Sequence, residues 1–337
     1  MKKIIHQIGD KVLGGKPVTL QEILPLLGAE GPDIMDLAAV ANRVRIEFKG
    51  NRVDLCSLLS AKSGKCSEDC TFCAQSGHYQ TEAPVYPLMD EDRMVEEARA
   101  AQRMGTERFC LISSGRQLNN KDFETVLQAL DRIKKETELA LDCSFGTLNR
   151  ERTEALKKVG VTRYNHNLET AESHFGKICT THSFQDRVRT IEILKDQGFS
   201  ICSGGIIGLG ESARQRLELA FSLKELGIDC IPLNILNPRP GTPLEHSEPI
   251  PPMEIIKTIS LFRLTLPRST IKIAGGREVN LRDLQSLALL AGANGLIVGN
   301  YLTTPGRSAE DDLTMLQDLG FLTPSLPLDG GGTVGGG

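Results

Sequence analysis

From about residue 53 onward, the sequence repeats one pattern eight times: a short apolar run, a turn and a longer amphipathic run. Short apolar runs bounded by turn residues predict buried strands, and the longer periodic runs predict helices. The predicted strands cover residues 53–60, 108–113, 139–145, 162–168, 200–206, 230–236, 270–274 and 295–298. Strands that alternate with helices form parallel sheets, and eight such units close into a barrel. We therefore predict an α/β chain folded as a (β/α)8 TIM-type barrel, in preference to an open doubly wound sheet.

The segments on either side of this repeat have a different character. Residues 1–50 read as helical, because Thr19 and Glu22 form a capping-box pattern and a second helix is predicted over 34–48. Residues 323–337 are dominated by glycine, which predicts a flexible tail. We expect an N-terminal helical extension over 1–50, a barrel over 51–322 and a Gly-rich tail over 323–337.

Composition narrows the class of protein. A formal charge of −4, a pI near 6.0 and the absence of tryptophan argue against a nucleic-acid-binding face. The sequence has neither a signal-peptide pattern at its start nor a continuous apolar run long enough to span a membrane, so we expect a cytoplasmic protein without a membrane partner. Nine cysteines in such a chain indicate metal binding or catalysis more than disulfides.

Three of those cysteines lie within one short stretch, Cys66, Cys70 and Cys73. Thiolates are the usual ligands of iron–sulfur clusters, and three of them can hold three irons of a cubane cluster. The fourth iron then stays open for another ligand, as in catalytic metal centres. The alternative interpretation is a zinc site in which His78 supplies the fourth ligand.

Three further cysteines, Cys110, Cys143 and Cys202, each lie inside a different predicted strand. Because alternate strand residues point into a closed barrel, these three thiols could converge in its interior. The alternative is that they are buried small hydrophobes. The remaining cysteines, at positions 56, 179 and 230, show no partner pattern and are interpreted as structural.

Polar residues follow the fourth predicted strand. Period-two alternation places Asn165, Asn167 and Glu169 on one face, and Asn234 of the sixth strand could reach the same space. Amides donate and accept hydrogen bonds, which suits a neutral urea-like ligand or a ribose. The alternative is that they satisfy loop backbone. The glycine-rich segment 204–211 could bring backbone close to a ligand, but it fits neither the dinucleotide nor the Walker spacing.

The spacing Cys-x3-Cys-x2-Cys, with Phe72 before the last cysteine, resembles the signature of the radical S-adenosylmethionine (SAM) superfamily. Over nearly its whole length the chain also resembles the biotin synthase family, through segments 60–76, 164–170, 202–211, 274–278 and 299–304. The resemblance implies a homodimeric barrel enzyme that inserts sulfur between C6 and C9 of dethiobiotin. It also implies an electron donor of the flavodoxin or ferredoxin type.

The resemblance implies roles for individual residues. Cys66, Cys70 and Cys73 would hold a 4Fe–4S cluster that binds SAM and cleaves it to a 5′-deoxyadenosyl radical. An auxiliary cluster, whose bridging sulfide is the sulfur donor, would be held by Cys110, Cys143 and Cys202. The SAM contacts would be Phe72, Ser114, Asn167, Glu169 (commonly Asp in the family), Arg187 and Ile206. Dethiobiotin would contact Asn165, Asn167, Asn234, Thr303 and Thr304.

One position departs from the family pattern. Lys272 stands where the family has an arginine as the fourth ligand of a 2Fe–2S auxiliary cluster. A lysine ammonium has no lone pair, so Lys272 would ligate iron only if burial removed its proton. Otherwise three cysteines would hold the auxiliary cluster, which could then be a larger four-iron cluster with an extra sulfide. Both nuclearities stay open at this point.

Two other functions are weighed against this one. A neighbouring radical SAM enzyme, such as a mutase or a hydrogenase-maturation enzyme, would share the barrel but would not need three inner cysteines. A non-enzymatic zinc module would lack iron and would be colourless.

Overall fold

The computed structural model describes residues 1–322. The predicted flexible tail, 323–337, lies outside the described residues. Nine strands form one parallel sheet in the order β5-β4-β3-β2-β1-β9-β8-β7-β6. Their bounds are β1 Asp54–Lys62, β2 Arg108–Ser113, β3 Ala140–Ser144, β4 Val161–Asn165, β5 Ser200–Cys202, β6 Gly205–Ile207, β7 Cys230–Ile235, β8 Thr270–Ile273 and β9 Gly295–Ile297.

The sheet closes into a barrel of eight strands, because β5 and β6 are two parts of one strand. β5 pairs with β4 on one side and with β7 on the other, and β6 continues the pairing with β7. Only Ser203 and Gly204 separate the two parts. The predicted (β/α)8 barrel is therefore confirmed, and the eight predicted strands match the observed ones apart from their ends.

Thirteen α-helices are found in the described part of the chain. Their bounds are α1 Lys2–Leu13, α2 Leu20–Ile23, α3 Pro32–Lys49, α4 Glu91–Arg103, α5 Asn120–Glu136, α6 Arg150–Lys158, α7 Glu172–Ile178, α8 Phe184–Asp196, α9 Ala213–Glu225, α10 Pro252–Thr265, α11 Arg277–Leu281, α12 Gln285–Leu290 and α13 Ala309–Asp318. Short polar caps begin many of them; Asp90, Asn119 and Ser212, for example, each accept a hydrogen bond from the third residue of the helix that follows. The predicted Thr19–Glu22 capping box is present at the start of α2.

The N-terminal helices pack on one side of the barrel, where α3 lies against α10. Because α10 is covered by α3 on one side and by the sheet on the other, it is buried all round from Ile255 to Thr265. Two buried cations of α10 donate hydrogen bonds to backbone carbonyls. Lys257 donates to Leu27, and Arg263 donates to Gly292. The division of the chain at residue 50 stays a prediction.

Each strand presents two different faces, and this positions the functional residues. Leu55, Phe109, Leu141 and Ile271 belong to the apolar core between sheet and helices. Residues of the opposite parity face the barrel axis, and many of them are thiols, amides or charged groups. Within residues 1–322, no helix combines the length and the apolar character needed to cross a membrane.

Candidate active site

A cavity of about 430 Å³ opens at the carboxyl ends of the strands and extends into the barrel. This is the face on which barrel enzymes carry their active sites. The cavity is lined by every site residue named from the sequence except Cys143, namely Cys66, Cys70, Phe72, Cys73, Cys110, Ser114, Asn165, Asn167, Glu169, Arg187, Cys202, Ile206, Asn234, Lys272, Thr303 and Thr304.

The loop that follows β1 carries the cysteine triplet. It is folded tightly: the Cys66 amide donates to the Gln75 carbonyl at 3.0 Å, and the Cys73 amide donates to the Cys70 carbonyl at 3.0 Å. All three thiols line the cavity as a result. His78 does not join them, because its Nε2 lies 2.9 Å from the Ser67 carbonyl oxygen and the residue is largely exposed. This placement gives no support to the zinc interpretation.

The structure brings only two of the three inner cysteines to the cavity. Cys110 and Cys202 line it, whereas Cys143 packs in the apolar core beside Leu141. Cys143 is paired in register with Tyr164, which belongs to the same core. The residues of β3 that line the cavity are its two neighbours, Asp142 and Ser144. The expected convergence of Cys143 with the other two thiols is therefore not observed.

Two cysteines that sequence reasoning interpreted as structural lie on the inner face instead. Cys56 of β1 lines the cavity. Cys230 is directly opposite Cys202 in the register of β5 and β7, on the strand face of Asn234. The interaction with the Cys202 thiol lowers the pKa of Cys230 to about 7, against the opposing effect of burial. Four strands thus contribute one inward thiol each, at positions 56, 110, 202 and 230.

Lys272 lies among these thiols but is already paired. Its Nζ is 2.6 Å from Asp54 Oδ1, and its side chain is 3% exposed. Burial opposes the charge, but the neighbouring Cys56 and Cys230 and the carboxylate of Asp54 outweigh it, so the pKa of Lys272 is raised well above its ordinary value. A protonated amine offers no lone pair to iron. The geometry thus favours a charge-balancing cation at Lys272 and not a metal ligand.

A second charged group lies at the rim of the cavity. Arg187 Nη1 donates to the Asn167 carbonyl at 2.8 Å and lies 3.6 Å from Glu169 Oε1. Glu169 has a positive φ of 69° and a largely buried side chain, and burial raises its pKa while Arg187 acts against that shift. A positive φ is uncommon outside glycine and often marks a functional constraint.

Three of the four asparagines that line the cavity are the ones named from the sequence, and they differ in how much hydrogen-bonding capacity they leave free. Both ends of the Asn234 side-chain amide are hydrogen-bonded to backbone: its oxygen accepts from the Gly275 amide, and its nitrogen donates to the Gly205 carbonyl. The Asn167 side-chain oxygen accepts from the Gly204 amide at 3.1 Å. Asn165 donates to the Cys110 sulfur at 3.2 Å, but its buried Oδ1 has no partner within residues 1–322. Of these three, Asn165 is therefore the amide with an acceptor available to a ligand.

The glycine pair at the break between β5 and β6 meets protein backbone and not a ligand. A Cβ at Gly204 would lie 2.0 Å from the Pro232 carbonyl oxygen, and one at Gly205 would lie 2.4 Å from the Glu169 carbonyl oxygen. Real Cβ atoms do not approach backbone so closely. These glycines let the Glu169 turn pack onto the barrel, which holds Glu169 in place.

The residues present fit the groups that the resemblance implies. Two separate sets of thiols, one on the loop and one inside the barrel, match the thiolate preference of iron–sulfur clusters. Asn165 contacts the inner set through Cys110, and its unpartnered oxygen can receive a donor from a substrate. Arg187 and Glu169 offer a cation and an anion at the rim, as an amino-acid ligand needs.

The fold and the loop together define the class of protein. The family model "Radical SAM superfamily" matches residues 61–223. A solved structure of methylornithine synthase superposes with a TM-score of 0.81 and 23% identity, over 93% of this chain and 96% of the other. The FeFe-hydrogenase maturase HydG from Carboxydothermus hydrogenoformans superposes with a TM-score of 0.79 and 21% identity, over 95% of this chain and 79% of the other. These two likenesses show the barrel fold alone; the family model is what marks residues 61–223 as a radical SAM domain.

The remainder of the chain specifies the family. Residues 232–322 match the model "Biotin and Thiamin Synthesis associated domain". Biotin synthase of Pelotomaculum thermopropionicum is 51% identical over 94% of this chain and 98% of the relative. Biotin synthase of Citrifermentans bemidjiense is 49% identical over 96% of this chain and 98% of the relative. The chain belongs to the biotin synthase family.

Proposed function

We propose that this chain inserts sulfur between C6 and C9 of dethiobiotin to form biotin, the last step of biotin biosynthesis. The observation that carries the proposal is the presence of two separate thiol sets facing one cavity, with a free amide acceptor beside the inner set. Membership of the biotin synthase family supports the same substrate and product.

The chemistry requires cofactors. An unactivated C–H bond is far too weakly acidic for acid–base residues to deprotonate, because protein surroundings tune their pKa values by only a few units. When bound, a 4Fe–4S cluster with SAM supplies the hydrogen-abstracting radical, and an auxiliary cluster supplies the sulfur. The chain itself binds and orients the cofactors and the substrate, and it excludes water from the cavity.

The residues at the rim of the cavity are assigned to binding the 4Fe–4S cluster, SAM and the substrate. Cys66, Cys70 and Cys73 hold three irons and leave the fourth for SAM. Arg187 would bind the SAM carboxylate and Glu169 would bind its ribose. Phe72, Ser114, Asn167 and Ile206 would contact the rest of SAM, and Asn165, Asn234, Thr303 and Thr304 would contact dethiobiotin; all of them line the cavity.

For the auxiliary cluster we propose the four inward thiols as ligands, Cys56, Cys110, Cys202 and Cys230, without Cys143 and without Lys272. Four cysteines are the ordinary ligand set of both 2Fe–2S and 4Fe–4S clusters. The ammonium of Lys272, which Asp54 holds in place, would then lie beside the anionic cluster and offset part of its charge. Mössbauer spectroscopy of reconstituted protein lacking the loop cysteines counts the irons, and a count of two rules out the larger cluster.

The decisive test is anaerobic incubation of reconstituted protein with SAM, a reductant and dethiobiotin, followed by mass detection of biotin. We expect brown protein and biotin formation. Cys70→Ala should abolish SAM cleavage, whereas Cys202→Ala should lose biotin and keep 5′-deoxyadenosine. Colourless protein that binds zinc, or biotin formation by Cys202→Ala, would refute the assignment.

The partners follow from the same proposal. We expect a cytoplasmic homodimer that accepts electrons from a flavodoxin or ferredoxin. Light scattering should give twice the 36.8 kDa chain mass, and reduced flavodoxin should replace a chemical reductant in the biotin assay. A monomer by light scattering would contradict the first expectation, and dependence on the chemical reductant would contradict the second.

A further inference from the structure

A segment after α7 lies against the cysteine loop and carries a thiol that the proposed function does not use. This is Cys179, at the C-terminus of α7, followed two residues later by Thr181 and then by His182. The Cys179 Sγ lies 3.8 Å from the Cys70 Sγ and 3.2 Å from His182 Nδ1. Two thiols and an imidazole therefore meet at one point.

These three donors are close enough to bind the same metal ion. One ligand atom from each of Cys70, Cys179 and His182 lies within 4.8 Å of the other two. Among residues 1–322, no other group of three such side chains meets this condition. Cys66 and Cys73 are outside the group, as expected for thiols that serve different irons of a cluster. The Cys70–Cys179–His182 group is thus separate in geometry from the loop triplet, although it shares Cys70.

The surroundings hold the donors in this arrangement. The Asp69 carboxylate accepts from the Thr180 amide at 2.9 Å and lies 3.2 Å from the Cys179 sulfur. Arg187 Nε donates to His182 Nε2 at 3.0 Å, so the ring proton is on Nδ1, 2.6 Å from Glu68 Oε2. A metal at Nδ1 would replace that proton, and Asp69 or a water could complete a tetrahedron. Two thiolates and one imidazole are a soft set that suits Zn²⁺, Fe²⁺ or Co²⁺.

We propose that the cluster-free protein binds one divalent transition-metal ion through Cys70, Cys179 and His182. Because Cys70 serves either this ion or the 4Fe–4S cluster, the two are mutually exclusive. A single Zn²⁺ therefore blocks assembly of the loop cluster. The inference rests on the proposed function only through the assignment of Cys70 to that cluster.

The test is anaerobic Co²⁺ titration of reduced, metal-free protein, monitored by thiolate-to-cobalt absorption. A Cys202→Ser/Cys230→Ser background removes competition from the inner thiols. We expect one Co²⁺ per chain in this background. Cys179→Ser should abolish the thiolate band from this site, and His182→Gln should weaken binding by more than about tenfold. Cys66→Ser and Cys73→Ser are the matched controls and should retain the band.

The opposite pattern would overturn the proposal. If Cys66→Ser abolishes cobalt binding while Cys179→Ser leaves it unchanged, the ion is at the loop triplet. His182→Gln keeps the inference testable if Cys179→Ser fails to fold, which circular dichroism detects. The titration uses neither SAM nor dethiobiotin, so its failure leaves the biotin assay untouched. Failure of the biotin assay likewise leaves the cobalt result intact.

Discussion

Replacing Cys230 and Cys143 one at a time separates the two candidate ligand sets for the auxiliary cluster. Both side chains are 0% exposed, so the two variants are matched in burial. They differ in direction: Cys230 lies beside Cys202 on the inner face, and Cys143 packs with Leu141 on the outer face. We expect Cys230→Ala to lose auxiliary-cluster iron and Cys143→Ala to retain it.

The burial of the two thiols sets how much unfolding free energy each substitution should cost. Truncating a buried thiol to alanine removes about one heavy atom of packing, which costs about 1 kcal/mol of unfolding free energy. Proteins of this kind are stable by roughly 5–15 kcal/mol, so both variants should fold. Loss of one of four ligands should instead remove most of the auxiliary iron, roughly two or roughly four atoms per chain depending on nuclearity.

The assay is iron and sulfide analysis of anaerobically reconstituted protein in which Cys66, Cys70 and Cys73 are alanine, so that only the auxiliary cluster contributes. Urea unfolding of the metal-free variants checks that their stabilities match. If Cys143→Ala lost iron as Cys230→Ala does, the four-thiol assignment would be refuted. Retention of full iron by Cys230→Ala would refute it equally.

Four further predictions concern other parts of the molecule. Arg187→Ala should weaken SAM binding to the reconstituted protein by about tenfold or more, because a charge-assisted hydrogen bond is lost; equilibrium dialysis measures this, and unchanged affinity contradicts the SAM assignment. Asn165→Ala should raise the KM for dethiobiotin by about tenfold, and an unchanged KM would place the substrate elsewhere. Asp312→Asn should lower the unfolding free energy by about 3–5 kcal/mol in urea, because Arg277 Nη2 lies 2.5 Å from Asp312 and both side chains are fully buried. Gly205→Ala should yield poorly folded protein by circular dichroism, since the added Cβ meets a carbonyl oxygen at 2.4 Å.

Much of the fold could be predicted from local pattern. The predicted strand 108–113 has the observed bounds of β2, and the predicted helix 34–48 lies within α3. The fourth strand was predicted to reach 168 but ends at Asn165, because the chain then turns toward Glu169, whose φ is positive. The break between β5 and β6 was also missed, since a glycine pair does not reveal which backbone it packs against.

Which cysteines face the barrel interior could not be predicted from local sequence pattern alone. The alternation of Leu139, Leu141, Cys143 and Phe145 was readable in the sequence and indicates an apolar face, yet the thiol of Cys143 was assigned to the interior. Cys230 shares strand parity with Asn234, which sequence reasoning had placed near the ligand. That signal was available and unused. Cys56 carried no comparable signal, because polar residues occur on both faces of β1, Asp54 on its own face and Ser57 on the other.

The sequence by itself determined the loop triplet, because Cys66, Cys70 and Cys73 are held together by a few peptide bonds. It also determined the barrel, because eight repeated units leave few alternatives. Only the tertiary structure decided which of the other cysteines share a space. A shift of one residue turns a strand side chain from the barrel interior to the helix layer, and register between distant strands sets that choice. The inner thiols and the Cys70–Cys179 contact therefore exist only once the barrel has closed.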